Sequence, residues 1–160
     1  ELTYLTSRGP WYHESWKGNS QKSGGLASNI GIHFFDMLTW IFGSIKKNEL
    51  HFSSDQMTSG YMELERAKVK WILSIDKEYL PSSTRKEGKT TYRSITVDGD
   101  EIEFSGGFTD LHTKIYKEAV AGNGYGLDDA RIAIRIVEAL RAQVPIGVQS
   151  YSHPALKDLK

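Results

Sequence analysis

Ile95-Thr96-Val97-Asp98-Gly99-Asp100-Glu101-Ile102-Glu103-Phe104 decides the fold. Ile95, Val97, Ile102 and Phe104 alternate with polar residues on both sides of Asp98-Gly99. Asp-Gly supplies the positive φ angles that a two-residue turn needs, so the segment predicts a β-hairpin. The same period of two runs back through the chain. Val69, Trp71, Leu73 and Ile75 share one parity, Met62 and Leu64 alternate with Tyr61, Glu63 and Glu65, and Leu50, Phe52 and Ser54 alternate with polar neighbours. Such alternation predicts an antiparallel sheet with one core face. The opposite face carries Glu63, Glu65, Lys68, Lys70 and Thr96. A short strand over residues 2–7 precedes these.

Helical signals flank the strands. In residues 26–42 Leu26, Ile30, Phe34, Met37 and Ile41 recur at helical spacing. Ile32, Phe35, Leu38 and Phe42 are apolar too, so most of this helix is expected to be buried, with Gly43 closing it. A second helix is expected over 108–121, with Phe108, Leu111, Ile115 and Ala119 on one side and Gly122-Asn123-Gly124 breaking it. A third, over 130–143, has Asp128 or Asp129 as its cap and Pro145 as its stop. Residues 8–19 read as an irregular loop because of Gly9, Pro10 and Gly18, residues 76–89 as a charged loop, and the tail from Val148 as weakly patterned. The class is α+β: a largely antiparallel open β-sheet with helices packed on one face.

Composition narrows the function. A chain of 160 residues is one domain, and 39% apolar with 25% charged residues argues against disorder. Twenty Lys+Arg balance 20 Asp+Glu, which removes the electrostatic basis for general nucleic-acid binding. The absence of cysteine excludes disulfides, thiolate catalysis and zinc-thiolate sites, and fits a reducing, cytoplasmic location. The most apolar stretch, 30–45, is shorter than the roughly 20 residues a bilayer needs and carries His33, Asp36 and Thr39, so no membrane association is expected. The chain starts at Glu1 on a strand already under way, as a piece of a longer protein would.

Two places could hold chemistry. Asn29, His33 and Asp36 stand at i, i+4 and i+7, on one face of the predicted helix. Either they satisfy one another inside the core, where an unpaired polar group costs roughly 1–3 kcal/mol, or they face a cleft and His33 is a general acid/base. Residues 8–22 form the second place. Arg8, Lys17 and Lys22 supply charge, Trp11, Tyr12 and Trp16 flat surfaces, and Gly9, Gly18, Gly24 and Gly25 close backbone approach. That set suits an anionic, ring-bearing ligand such as a nucleotide sugar, and equally an ordinary surface loop pinned by aromatics. His13, His51, His112 and His153 are scattered without an HxxxH pair, so no metal site is expected. Gly122-Asn123-Gly124-Tyr125-Gly126 lacks GxGxxG spacing and follows a helix, so no cofactor-binding residue is assigned in this chain.

The run Ser23-Gly24-Gly25-Leu26-Ala27-Ser28-Asn29-Ile30-Gly31-Ile32-His33-Phe34-Phe35-Asp36 resembles the signature of the Gfo/Idh/MocA oxidoreductases. Arg8-Gly9-Pro10-Trp11-Tyr12, Ser15-Trp16-Lys17-Gly18, Thr91-Tyr92-Arg93-Ser94-Ile95-Thr96-Val97-Asp98-Gly99, Gly106-Gly107-Phe108-Thr109-Asp110-Leu111-His112 and Tyr151-Ser152-His153-Pro154 resemble the branch of that family acting on UDP-N-acetylglucosaminuronate. The resemblance implies that residues 1–160 are a C-terminal substrate-binding and oligomerisation domain. The N-terminal Rossmann domain, which binds NAD and brings a lysine in a Glu-Lys-Pro motif, is absent from this chain. It implies that His33 is catalytic and that Asn29, Arg8, Tyr12, Trp16, Lys17, Ser23 and Gly24 bind the UDP-sugar. Many relatives carry Asp where this chain has Asn29, and an amide takes no proton, so Asn29 can only position the sugar or orient His33. The implied activity is NAD-dependent oxidation of the sugar's 3-hydroxyl in lipopolysaccharide or O-antigen synthesis, by a homo-oligomer, a dimer or tetramer, docked through the open face of the sheet. A non-catalytic binding or assembly module, or a family enzyme for another sugar or polyol, is the alternative.

Overall fold

The computed structural model describes residues 1–106 and 110–157. Its strands are β1 (Leu2–Thr6), β2 (Ile45–Ser53), β3 (Met57–Leu64), β4 (Lys68–Ser74), β5 (Thr91–Val97) and β6 (Asp100–Glu103). They form one sheet in the order β2-β3-β4-β1-β5-β6. The neighbours are antiparallel except β1 and β4, which run parallel because the whole of β2 and β3 separates them in the chain. The helices are α1 (Pro10–Glu14), α2 (Ser20–Ser23), α3 (Ile32–Phe42), α4 (Ser82–Lys86), α5 (Leu111–Val120), α6 (Leu127–Arg141) and α7 (Pro154–Lys157). The α+β class and the largely antiparallel sheet are those the alternation predicts.

The predicted hairpin is present, with Asp98 at φ 52° and Gly99 at φ 98° in the turn. The core lies between one sheet face and α3 and α6. Leu2, Tyr4, Met62, Leu64, Trp71 and Leu73 meet Phe34, Phe35, Leu38, Ile136, Val137 and Leu140 there. Trp71 is fully buried and meets Phe35 edge-on, with ring centroids 5.2 Å apart. Gly60 makes room for it on the neighbouring strand: a Cβ there would lie 2.4 Å from the indole and 2.2 Å from the Glu49 carbonyl.

The sheet is open, as expected, and part of its second face is covered by the chain's own tail. The weakly patterned tail crosses it. Leu156 of α7 packs with Met57, Ile72 and Phe52, and is fully buried. Phe52 reaches that side because a bulge between Leu50 and Phe52 breaks the alternation that would have put them together. The tail then anchors through polar side chains, which apolar periodicity cannot register. Ser152 Oγ lies 2.7 Å from His51 Nδ1, His153 Nε2 lies 3.0 Å from Thr3 Oγ1, and the Tyr151 hydroxyl donates to Glu49 at 3.1 Å. Glu63, Lys68 and Lys70 stay on this face, around Tyr61 and Tyr151. Glu65 lies beyond the end of β3.

Several loops are more regular than their glycines and prolines suggest. Residues 8–22 hold α1, a 3-10 turn (Trp16–Gly18) and the start of α2. Pro10 sits at the first helical position, where its missing N–H costs nothing, and Ser15 and Asn19 side chains cap the next two turns. The charged stretch 76–89 holds a 3-10 turn (Lys77–Tyr79) and α4, with Asp76 accepting from the Glu78 N–H. Helix α6 starts at Leu127 with Gly126 as its cap. Asp129 acts from the third helical position instead, accepting from the Gly126 N–H at 2.6 Å. Helix α5 starts at Leu111 and buries none of its residues: Leu111, Ile115, Tyr116 and Val120 are exposed. Phe108, expected in this helix, lies outside the described residues.

Candidate active site

The long helix expected from Leu26 is two helices in register. One wide π turn (Ala27–Gly31) leads directly into α3. π turns are rare and cluster at functional sites. Two successive glycines with left-handed φ, Gly24 at 77° and Gly25 at 76°, bring the chain into it from α2. Gly31 closes it against the sheet: a Cβ there would lie 2.7 Å from the Phe35 ring and 3.0 Å from Leu73.

This seating turns Phe34 and Phe35 inward and leaves His33 on the outside, exposed. His33 lines an open recess of about 720 Å³. The recess is apolar where Ile30, Phe34, Met37 and Leu111 line it, and polar where Tyr4, Arg8, Asn29 and Arg93 do. Asp36 is also exposed, does not line the recess, and makes no hydrogen bond to His33; its backbone carbonyl accepts from the Thr39 hydroxyl at 2.9 Å. The buried His33–Asp36 pair of the structural reading therefore does not form.

The recess has a cationic end. Arg8 Nη2 donates to the Tyr4 hydroxyl at 3.5 Å, and its buried Nε makes no hydrogen bond. The Arg93 guanidinium lies 5.4 Å from the centre of the Tyr4 ring, and the Tyr4 ring meets Phe34 at 5.2 Å. Tyr4 and Arg93 are register partners on β1 and β5. Arg8 also stands 5.9 Å from the Tyr12 ring. Tyr12 is buried; its hydroxyl lies near the Asn29 amide but lacks a hydrogen bond of good geometry, and burial raises its pKa above that of an ordinary phenol.

The sequence-derived residues divide into two groups. Arg8, Asn29 and His33 share the recess. Tyr12, Lys17 and Gly24 line a separate recess of about 410 Å³, with Ser54, Arg141 and Gln143. Trp16 and Ser23 line neither. Trp16 is exposed with the Lys17 ammonium 5.9 Å from its ring, and Ser23 Oγ accepts from the Gly25 N–H at 3.1 Å. Asn29, which lines the first recess, donates its amide to the carbonyl of Lys17, which lines the second, at 3.2 Å. Tyr4 and Arg93 are the residues that reading the sequence did not assign. For Arg93 a signal existed: it shares parity with Ile95, so it is a cation on the core side of its strand.

A family profile described as "Oxidoreductase family, C-terminal alpha/beta domain" (GFO_IDH_MocA_C) matches residues 1–114. The chain belongs to the Gfo/Idh/MocA oxidoreductase family. Among solved structures it is 51% identical to the WlbA (WbpB) dehydrogenase of Thermus thermophilus in complex with NAD and UDP-GlcNAcA, over 96% of this chain and 50% of that one, with a TM-score of 0.89. The same enzyme with NAD and alpha-ketoglutarate matches at 53% identity over 93% of this chain and 48% of that one, with a TM-score of 0.87. The chain thus spans about half the length of these relatives. Among the described residues no group of three or more His, Asp or Glu could hold a metal ion, and no helix is long and apolar enough to cross a membrane.

Proposed function

We propose that this chain is the C-terminal, substrate-bearing half of an NAD-dependent dehydrogenase that oxidises the 3-hydroxyl of UDP-N-acetylglucosaminuronate, in the cytoplasmic synthesis of bacterial surface polysaccharide. One observation carries the reading: an exposed His33 and two arginines line one recess, in a chain 51% identical to a dehydrogenase bound to NAD and UDP-GlcNAcA. NAD has no fitting cradle among the described residues. The sheet has a single parallel pair, and Gly122–Gly126 joins two helices where a dinucleotide turn follows a strand. The cofactor, which accepts the hydride, belongs to the other half of such a protein.

His33 then receives the proton of the 3-hydroxyl as the carbon is oxidised. An imidazole nitrogen carries a lone pair that can accept this proton and later give it up. Ile30, Phe34 and Met37 offer apolar contact to the sugar's C–H faces, while Asn29 fixes the loop that carries Lys17. Assembly as a dimer or tetramer uses what the tail leaves exposed on the outer sheet face, around Lys47, Lys68, Lys70 and Tyr151. The test is turnover by the full-length protein with NAD and UDP-N-acetylglucosaminuronate. NADH formation supports the reading; no NADH with this substrate, but turnover of another sugar or a polyol, replaces it.

A further inference from the structure

We infer that Arg93 determines specificity: with Arg8 it forms a two-guanidinium clamp for the carboxylate of the uronic acid. The inference rests on the proposed function and deepens it. Both guanidiniums gather around one phenol, Arg8 at the Tyr4 hydroxyl and Arg93 over the Tyr4 ring. Among the described residues, those lining the recess include these two cations. A guanidinium presents a planar fork that matches an oxyanion pair, and stacking on an aromatic ring holds that fork in place at small entropic cost. Lys17, the other cation considered for the substrate's anionic groups, lines the second recess, whereas Arg8 and Arg93 line this one.

The choice of carboxylate over diphosphate follows from the ring chemistry. The carboxyl carbon is bonded directly to C5, two ring atoms from the reacting C3. The diphosphate is set one oxygen further out from C1. His33 shares the recess with the arginines, so the anion they hold is the one nearest the reacting carbon. Phe34 connects the two ends, flanking His33 in the chain and meeting the Tyr4 ring that carries both cations.

The experiment compares UDP-N-acetylglucosaminuronate with UDP-N-acetylglucosamine, which is neutral at C6, on the full-length protein. Affinity is read by calorimetry and kcat and KM by NADH formation, for wild type, Arg93→Gln and Arg93→Lys. Loss of a charge-assisted bond predicts that Arg93→Gln weakens the uronate about 10- to 100-fold. The loss lies mainly in KM, while the neutral sugar is unchanged and the preference between the two collapses. Arg93→Lys keeps the charge over Tyr4 and recovers part of the preference, and it decides the matter if Arg93→Gln lowers the melting temperature. Equal loss for both sugars would assign Arg93 to the diphosphate and overturn the inference, as would an unchanged preference in both variants. Wild-type protein that binds neither sugar would sink the underlying reading, a result visible without any variant.

Discussion

Ser152 Oγ and His51 Nδ1 lie 2.7 Å apart, both fully enclosed, although they stand 101 positions apart in the chain. The contact fastens the tail to β2 and encloses the second sheet face at that end. Breaking it from the Ser152 side leaves a buried imidazole nitrogen without its hydrogen bond, while Nε2 of the same ring has only the long 3.7 Å approach of Glu49 Oε2. Ser152→Ala is expected to lower stability by about 1–3 kcal/mol, measured by chemical denaturation. Turnover per folded molecule should stay near wild type, since the tail lies on the sheet face opposite His33.

The same anchor is expected to weaken in acid. His153 Nδ1 accepts from the Ala155 N–H at 3.2 Å, and its other nitrogen pairs with Thr3, so the ring is held neutral. Burial lowers its pKa to about 4, and burial lowers that of His51 as well, with Glu49 opposing. An unfolded imidazole takes its proton near pH 6.5. Between those two values the unfolded chain binds protons that the folded chain does not. Stability is therefore whole above about pH 6.5 and falls as the pH drops toward 4. Denaturation midpoints across that window should show the slope, and His153→Gln should flatten part of it.

Gly31 offers a test of the π turn. A methyl group there must displace the buried Phe35 ring or Leu73, so Gly31→Ala is expected to cost roughly 1–3 kcal/mol. Because the displaced helix carries His33, kcat should fall as well. Thermal melting and steady-state kinetics on the same preparation separate the two effects.

Much of the architecture was legible in the sequence because apolar residues report it directly. Val69, Trp71 and Leu73 share the parity that faces the core, and Asp98-Gly99 marks its hairpin without help from the rest of the chain. The tail was not legible because His51, Ser152 and His153 bind through hydrogen bonds, which have no period. The π turn escaped because Asn29 and His33 stand four residues apart in either kind of helix; what distinguishes it is the fit of Gly31 under Phe35. The recess was half legible. Asn29 and His33 share a stripe, but Arg93 joins them only through the pairing of β1 with β5, and strand pairing cannot be read from one strand. Lys17 and Tyr12, close to Arg8 in sequence, turn toward a different recess because α1 and a 3-10 turn intervene where an irregular loop was expected.

The most direct measurement is kcat for His33→Ala in the full-length protein, with NAD and UDP-N-acetylglucosaminuronate. His33 is exposed, so the variant should melt with the wild type, bind the sugar nearly as well, and lose about 100- to 10,000-fold in kcat. A folded variant that turns over at the wild-type rate would contradict the assignment of this histidine as the proton acceptor.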